Sequence, residues 1–221
     1  MKCTLVVFLS AAVLRAASGD AAANQLTPAE MQEGYRLLFN GRNLDGWDGD
    51  PTLWSISDGA IVGCSDGRPF KVNTFLIHEA TVRNFILKAD VKLRNNNGGI
   101  NFRSEQIPGP NWIVKGWQAG VSEMGDEKSG WGNFYEERGR GRTMMKTPDQ
   151  GWLIAKSVVH HGDWNSYEIL ADGEHVRLVL NGVVTIDTHE TGPGSGIIAL
   201  LLHNGEPMRV GFRNLKLKIL P

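Results

Sequence analysis

Along most of the chain, apolar and polar residues alternate with a period of two. Residues 85–94 place Phe85, Leu87, Ala89, Val91 and Leu93 at every second position, with Ile86, Lys88, Asp90, Lys92 and Arg94 between them. Successive side chains of a strand point to opposite faces, so this stretch predicts a strand buried on one side. Residues 35–40, 53–63, 74–79, 98–105, 166–190, 196–203 and 208–220 read as further strands. Turn residues punctuate them at Ser57-Asp58-Gly59, Asp172-Gly173 and Asn181-Gly182. In the last segment, Val210, Phe212, Leu215, Leu217 and Ile219 keep their alternation only if a bulge or bend falls near Asn214. One short helix is predicted after Thr27. The threonine can cap, Pro28 suits the first helical position, Glu30 completes a capping box, and Gly34 breaks the helix. Many short strands, frequent turns and almost no helix predict an all-β fold, an antiparallel β-sandwich in one domain.

The first residues read differently. Lys2, an apolar run over 3–14 and small residues up to Gly19 or Asn24 have the form of a secretory signal peptide. The run is too short to span a membrane as a helix, and Arg15 ends it. The expected division is a leader over 1–23 and a domain over 24–221, located outside the cytoplasm, periplasmic or secreted. An uncleaved interfacial anchor is the alternative. Without the leader only Cys64 remains, so no internal disulfide can form, and its apolar flank marks it as a structural thiol.

Composition narrows the function classes. Hydrophobic residues make up 41% and charged residues 21%, enough for a folded core. A net charge of −1 argues against nucleic acid as a partner, even with three arginines at 138, 140 and 142. No phosphate loop, nucleophile elbow or dinucleotide fingerprint is present, and nothing points to an obligate protein partner. Seven tryptophans are many for 221 residues and suit stacking on sugar faces as well as packing. The pair His160-His161 lacks zinc-ligand spacing. The carboxylates of 45–51 fit turns better than a calcium loop, although a divalent metal such as calcium stays open.

The stretches 26–47, 53–63, 98–105, 116–141, 163–188 and 196–217 follow one another in a recognisable order. Together they resemble the bacterial 3-keto-disaccharide hydrolase domain family across nearly all of 26–221. The resemblance implies a concanavalin A-like jelly-roll sandwich, an extracytoplasmic location, and activity on glycosides oxidised to a ketone at carbon 3. It also exposes a departure: where the nearest pattern has aspartate after the stretch matching Gly116–Ala119, this chain has Gly120.

A ketone at carbon 3 acidifies the proton on carbon 2. Cleavage then needs a base, a partner for the enolate oxygen and an acid for the leaving group. His203, ending an apolar strand before Asn204-Gly205, is the candidate base, since imidazole titrates near neutrality. The alternative is a strand-end histidine bonded to a backbone carbonyl. Arg103 is the candidate electrophile. By period two it shares a strand face with Asn101 and Glu105, expected to bind substrate; the alternative is a solvated Arg–Glu pair. In 131–141, alternation puts Phe134 and Glu136 on one side and Tyr135 and Glu137 on the other. Glu137 is the candidate acid or base there, with Glu136 and Tyr135 touching substrate. Trp117 and Trp131 are expected as stacking platforms, and Gln118 as a partner for sugar hydroxyls. The segment would then wall a sugar groove. The alternative is a capping loop whose arginines pair its glutamates.

Overall fold

The computed structural model describes residues 23–123, 130–139 and 154–221. All but the last residue of the expected leader lies outside that range. The helix α1 (Pro28–Gln32) has the predicted capping box, with the Thr27 hydroxyl accepting from the Glu30 N–H and the Glu30 carboxylate accepting from the Thr27 N–H. No helix among the described residues is long and apolar enough to cross a membrane.

The strands are β1 (Arg36–Leu37), β2 (Trp47–Asp48), β3 (Trp54–Ser57), β4 (Ala60–Cys64), β5 (Thr74–Val82), β6 (Phe85–Arg94), β7 (Asn97–Ile107), β8 (Ile113–Ser122), β9 (Phe134–Glu137), β10 (Asn165–Asp172), β11 (His175–Leu180), β12 (Val183–His189), β13 (Gly196–Leu202) and β14 (Arg209–Ile219). They form two antiparallel sheets. One is ordered β12-β11-β10-β6-β14-β4-β3, with β1 also on β14, and the other β2-β5-β13-β7-β8-β9. This is a concanavalin A-like jelly-roll β-sandwich. The alternating residues Phe85, Leu87, Ala89, Val91 and Leu93 are buried as their spacing predicts. They pack with Ile169, Leu178, Phe212 and Leu217 against Ile100, Phe102, Trp117, Leu200 and Leu202 of the other sheet.

The second sheet has an unusual outer face. Since Ile100 and Phe102 point into the core, Gly99 and Asn101 point away from it. By the same rule Gln118 and Gly120 of β8 and Ala199 and Leu201 of β13 face outward. Phe75, Ile77, Val114, Ala199 and Leu201 form a second buried cluster there, flanked by Trp112 and Ile197. What covers it in part is the β7–β8 hairpin. Its register passes from Phe102↔Trp117 to Glu105↔Lys115, which leaves Arg103 and Ser104 opposite Gly116 alone. That extra residue is a β-bulge. Arg103 takes a left-handed φ of 46°, and both neighbouring strands supply glycine at the close approach. A Cβ on Gly116 would lie 2.5 Å from Ser104 Oγ, and one on Gly196 2.5 Å from the Arg103 carbonyl carbon. Beyond the bulge, the hairpin reaches β5. The Trp112 carbonyl accepts from the Phe75 N–H at 3.0 Å, and Thr74 Oγ1 donates to the Asn111 carbonyl at 3.1 Å.

The irregularity predicted in β14 is also present. Register shifts between Arg213 and Lys216, and Asn214 has φ 54°. Its Oδ1 accepts from the Asn24 N–H at 2.6 Å, and its Nδ2 donates to Asp90 at 2.7 Å. Asn214→Ala removes both bonds and keeps a Cβ in the left-handed region, at a cost of about 2–3 kcal/mol in urea unfolding. Asn214→Gly loses the bonds but not the backbone fit, so it is expected to be the milder change. The opposite order would show that the bend does not depend on that backbone conformation.

Candidate functional site

Directly opposite residues of paired strands share a face. Asn101 stands opposite Gln118, and Gln118 opposite Tyr135, giving a polar row across β7, β8 and β9. Glu137, two residues after Tyr135, extends it. Asn101 is 0% exposed, and neither its Oδ1 nor its Nδ2 has a hydrogen-bond partner among the described residues. The same holds for Gln118 Oε1. Gly99 makes room for that side chain, since a Cβ there would lie 2.8 Å from it. A buried amide atom without a partner costs roughly 1–3 kcal/mol, so native folds keep few of them. A ligand bearing hydroxyls and a carbonyl would satisfy these atoms.

Glu137 is only 8% exposed. Burial pushes its carboxyl above the ordinary range, against the opposing pull of Arg138 and of a hydrogen bond from Asn73. The Arg138 Nε stands 3.6 Å from Glu137 Oε1, on the exposed side. The half-buried Tyr135 phenol is raised by burial and then by the Glu137 charge.

Asn73 connects this carboxyl to the end of β13. It donates to Glu137, while its Oδ1 accepts from the Asn204 N–H at 3.1 Å. The Asn204 carbonyl in turn lies 2.7 Å from His203 Nδ1. A carbonyl can only accept, so in the neutral ring Nδ1 carries the proton and Nε2 keeps a free lone pair. The backbone-bonded histidine and the base are therefore compatible readings, because this bond sets the tautomer a base needs. Asn73 was not among the sequence candidates. It carries no motif, and its role arises only because the loop before β5 meets the loop after β13.

Several expected residues do not join this row. The bulge breaks the shared face of Asn101, Arg103 and Glu105. Arg103 is 1% exposed and donates to the Arg83 carbonyl (2.7 Å), the Gly173 carbonyl (2.6 Å) and Asn84 Oδ1 (3.2 Å), with its guanidinium 5.5 Å from the Trp117 ring. All three of its nitrogens are committed to two turns at one end of the sandwich, so it is not placed to polarise a ligand. Glu105 lies past the bulge and pairs with Lys115 at 3.0 Å, both exposed. Trp117 is 1% exposed and meets Phe102 and Phe134 edge-on at 6.0 and 5.3 Å, so it is core and not a platform. Trp131 is likewise buried, stacked on Tyr167, with Nε1 donating to Glu123 at 3.2 Å. Glu136 stands on the Phe134 side of β9, away from the row, with its side chain close to Gly139. Residues 140–142 of the arginine run lie outside the described residues.

Gly120 has a local explanation. The Asn133 side-chain oxygen occupies the space where a Cβ at 120 would project, so an aspartate there would require Asn133 to move. Two of the 45–51 carboxylates serve turns: Asp50 accepts from the Thr52 N–H and hydroxyl, and Asp45 from Asn43. Among the described residues no three His, Cys, Asp or Glu side chains converge as a metal would need.

The placement of Arg103 makes a prediction. Arg103→Met should lower stability by more than about 2 kcal/mol, given three bonds from a buried cation. The folded fraction should keep the wild-type specific activity. Loss of activity at unchanged stability would return Arg103 to the site.

Comparison with known proteins agrees with this fold. A candidate glycosyl hydrolase from Parabacteroides distasonis ATCC 8503 superposes with a TM-score of 0.66 at 23% identity, over 90% of this chain and 100% of that one. The carbohydrate-binding module CBM66 from Bacillus subtilis gives 0.54 at 18%, over 77% and 94%. A Bacillus licheniformis beta-glucanase gives 0.52 at 11%, over 85% and 99%. No curated protein matches the chain. The sequence profile of the 3-keto-alpha-glucoside-1,2-lyase-like domain matches residues 34–218, so the chain belongs to that family of carbohydrate-active domains.

Proposed function

We propose that this protein cleaves glycosides bearing a ketone at carbon 3, outside the cytoplasm, by elimination followed by hydration. The observation that carries the proposal is the linkage of a base-competent imidazole to a buried, raised carboxyl through Asn73, beside the unpartnered Asn101 amide and Gln118 Oε1. His203 Nε2 takes the proton from carbon 2, and the C–H electron pair becomes the enolate. Asn101 Nδ2 donates to the enolate oxygen, a role closed to Arg103 because its guanidinium is bonded to the turns at 83–84 and 173. The enolate then expels the group on carbon 1, and the leaving oxygen takes its proton from Glu137, whose carboxyl burial raises above the ordinary carboxylate range. Gln118 Oε1 accepts from a sugar hydroxyl, and Tyr135 borders the same ring. Addition of water across the new double bond completes a net hydrolysis.

A second reading, favoured by glycine in place of aspartate at position 120, is a carbohydrate-binding domain without chemistry. Binding of 3-keto-trehalose with no product would establish it.

Mass spectrometry with 3-keto-trehalose and trehalose tests the enzyme. Glucose release is expected from the keto form only. His203→Ala should lower that turnover by about 10²–10⁴-fold with Tm within a few degrees of wild type; unchanged turnover would remove His203 from the reaction.

The pKa of Glu137 gives a separate test through stability. A carboxyl raised on folding contributes stability at low pH that is lost as pH rises through its folded value. Glu137→Gln, which never ionises, should therefore be more stable than wild type at pH 8, with the gap shrinking toward pH 4. A variant that is less stable at pH 8 would show that the ionised carboxylate is favoured there, and would remove Glu137 as the acid.

A further inference from the structure

A cavity borders the chain segment that carries Asn73. It encloses about 310 Å³ at the open end of β5, between the loop after β2, the chain leading into β5 and the tip of the β7–β8 hairpin. Phe70, Val72, Pro110 and Trp112 give it apolar walls, and Asp50 and Lys71 stand at it with charged side chains. That volume falls within the range of small-molecule sites, and aromatic walls with a few polar groups are their usual composition.

Three observations connect the cavity to the row. The segment 70–74 serves both. Phe70, Val72 and Thr74 line the cavity, while Asn73 between them bonds Glu137 and Asn204. The Lys71 carbonyl accepts from Asn204 Nδ2 at 2.9 Å, one residue from His203. Trp112 has a left-handed φ of 44°, a conformation that costs a non-glycine residue roughly 1–3 kcal/mol and clusters at ligand clamps. The Trp112 carbonyl is bonded to β5, so its ring is held half-buried at the cavity while Val72 stays 37% exposed at the opening.

The geometry points to a subsite for the second sugar of a glycoside, the ring that leaves when the bond to the first is cut. An uncharged hexose presents an apolar C–H face to an aromatic ring and hydroxyls around its edge. Trp112 and Phe70 offer the first kind of contact, and Asp50 and Lys71 the second. The subsite rests on the proposed cleavage reading, since it assigns the reacting ring to the row of Asn101, Gln118 and Glu137. It adds a specificity that the row does not supply: preference for disaccharides over glycosides of small alcohols.

The test compares 3-keto-trehalose with methyl 3-keto-α-glucoside. Trp112→Ala and Val72→Arg should each raise KM for the keto-disaccharide at least tenfold and leave kcat/KM for the methyl glycoside within twofold. Val72 is exposed, so its substitution blocks the opening without disturbing the core. Equal losses on both substrates, or none on either, would overturn the subsite. Calorimetry with trehalose and His203→Ala separates this outcome from failure of the chemistry. If wild type turns over neither keto-glycoside, trehalose binding by His203→Ala that is lost on adding Val72→Arg still supports the subsite. Binding that ignores Val72→Arg, or no binding, refutes it.

Discussion

The bulge at Arg103 and Ser104 sets the geometry on which the polar row and the cavity beside Trp112 depend. One extra residue in β7 turns the strand and carries the hairpin tip across the outer face to β5. It also swings the Arg103 side chain out of alternation, toward the turns at 83–84 and 173, where it fastens the two sheets at one end. Gly116 and Gly196 are the counterparts of this feature, because either Cβ would collide with the bulged backbone. Without the bulge, period two would put Arg103 beside Asn101 on the outer face, and the hairpin would extend past the sheet edge instead of covering it.

That constraint explains how a largely apolar sandwich carries a polar row. The outer face beneath the hairpin is as apolar as a core, with Phe75, Ile77, Ala199 and Leu201 buried. Next to it, Asn101 and Gln118 sit in a poorly solvated setting where unsatisfied amide atoms are costly and hydrogen bonds to a ligand correspondingly strong. The same desolvation raises the Glu137 carboxyl and Tyr135 phenol. The Asn73 bridge then fixes where the carboxyl stands relative to His203. Burial tunes the acid and the backbone carbonyl of Asn204 selects the tautomer of the base, so the two functions have separate physical origins.

Much of the fold was legible because it obeys local rules. The alternation of β6, the Asp58-Gly59 and Asn181-Gly182 turns with positive φ at both residues, and the Thr27 capping box were readable directly. The site was legible only in part. Asn101, Gln118, Tyr135 and Glu137 share a face as period two requires, but the bulge after Phe102 carries no turn signature and moved Arg103 and Glu105 elsewhere. Trp117 had a readable warning. Trp117, Ala119 and Val121 alternate with Gly116, Gln118, Gly120 and Ser122, which marks the tryptophan as core. Trp131 had none, since its burial follows from stacking on Tyr167 of the opposite sheet. Asn73 could not be read at all, because its partners are 64 and 131 positions away in sequence.

In the proposed reaction, carbon 2 gives up its proton before the glycosidic bond breaks. The most direct measurement is mass spectrometry of product and residual substrate from 3-keto-trehalose deuterated at carbon 2 of the keto ring. The released keto-sugar product should have lost the deuterium while recovered substrate retains it. Product that keeps its deuterium would mean direct displacement at carbon 1, and would contradict the role given to His203.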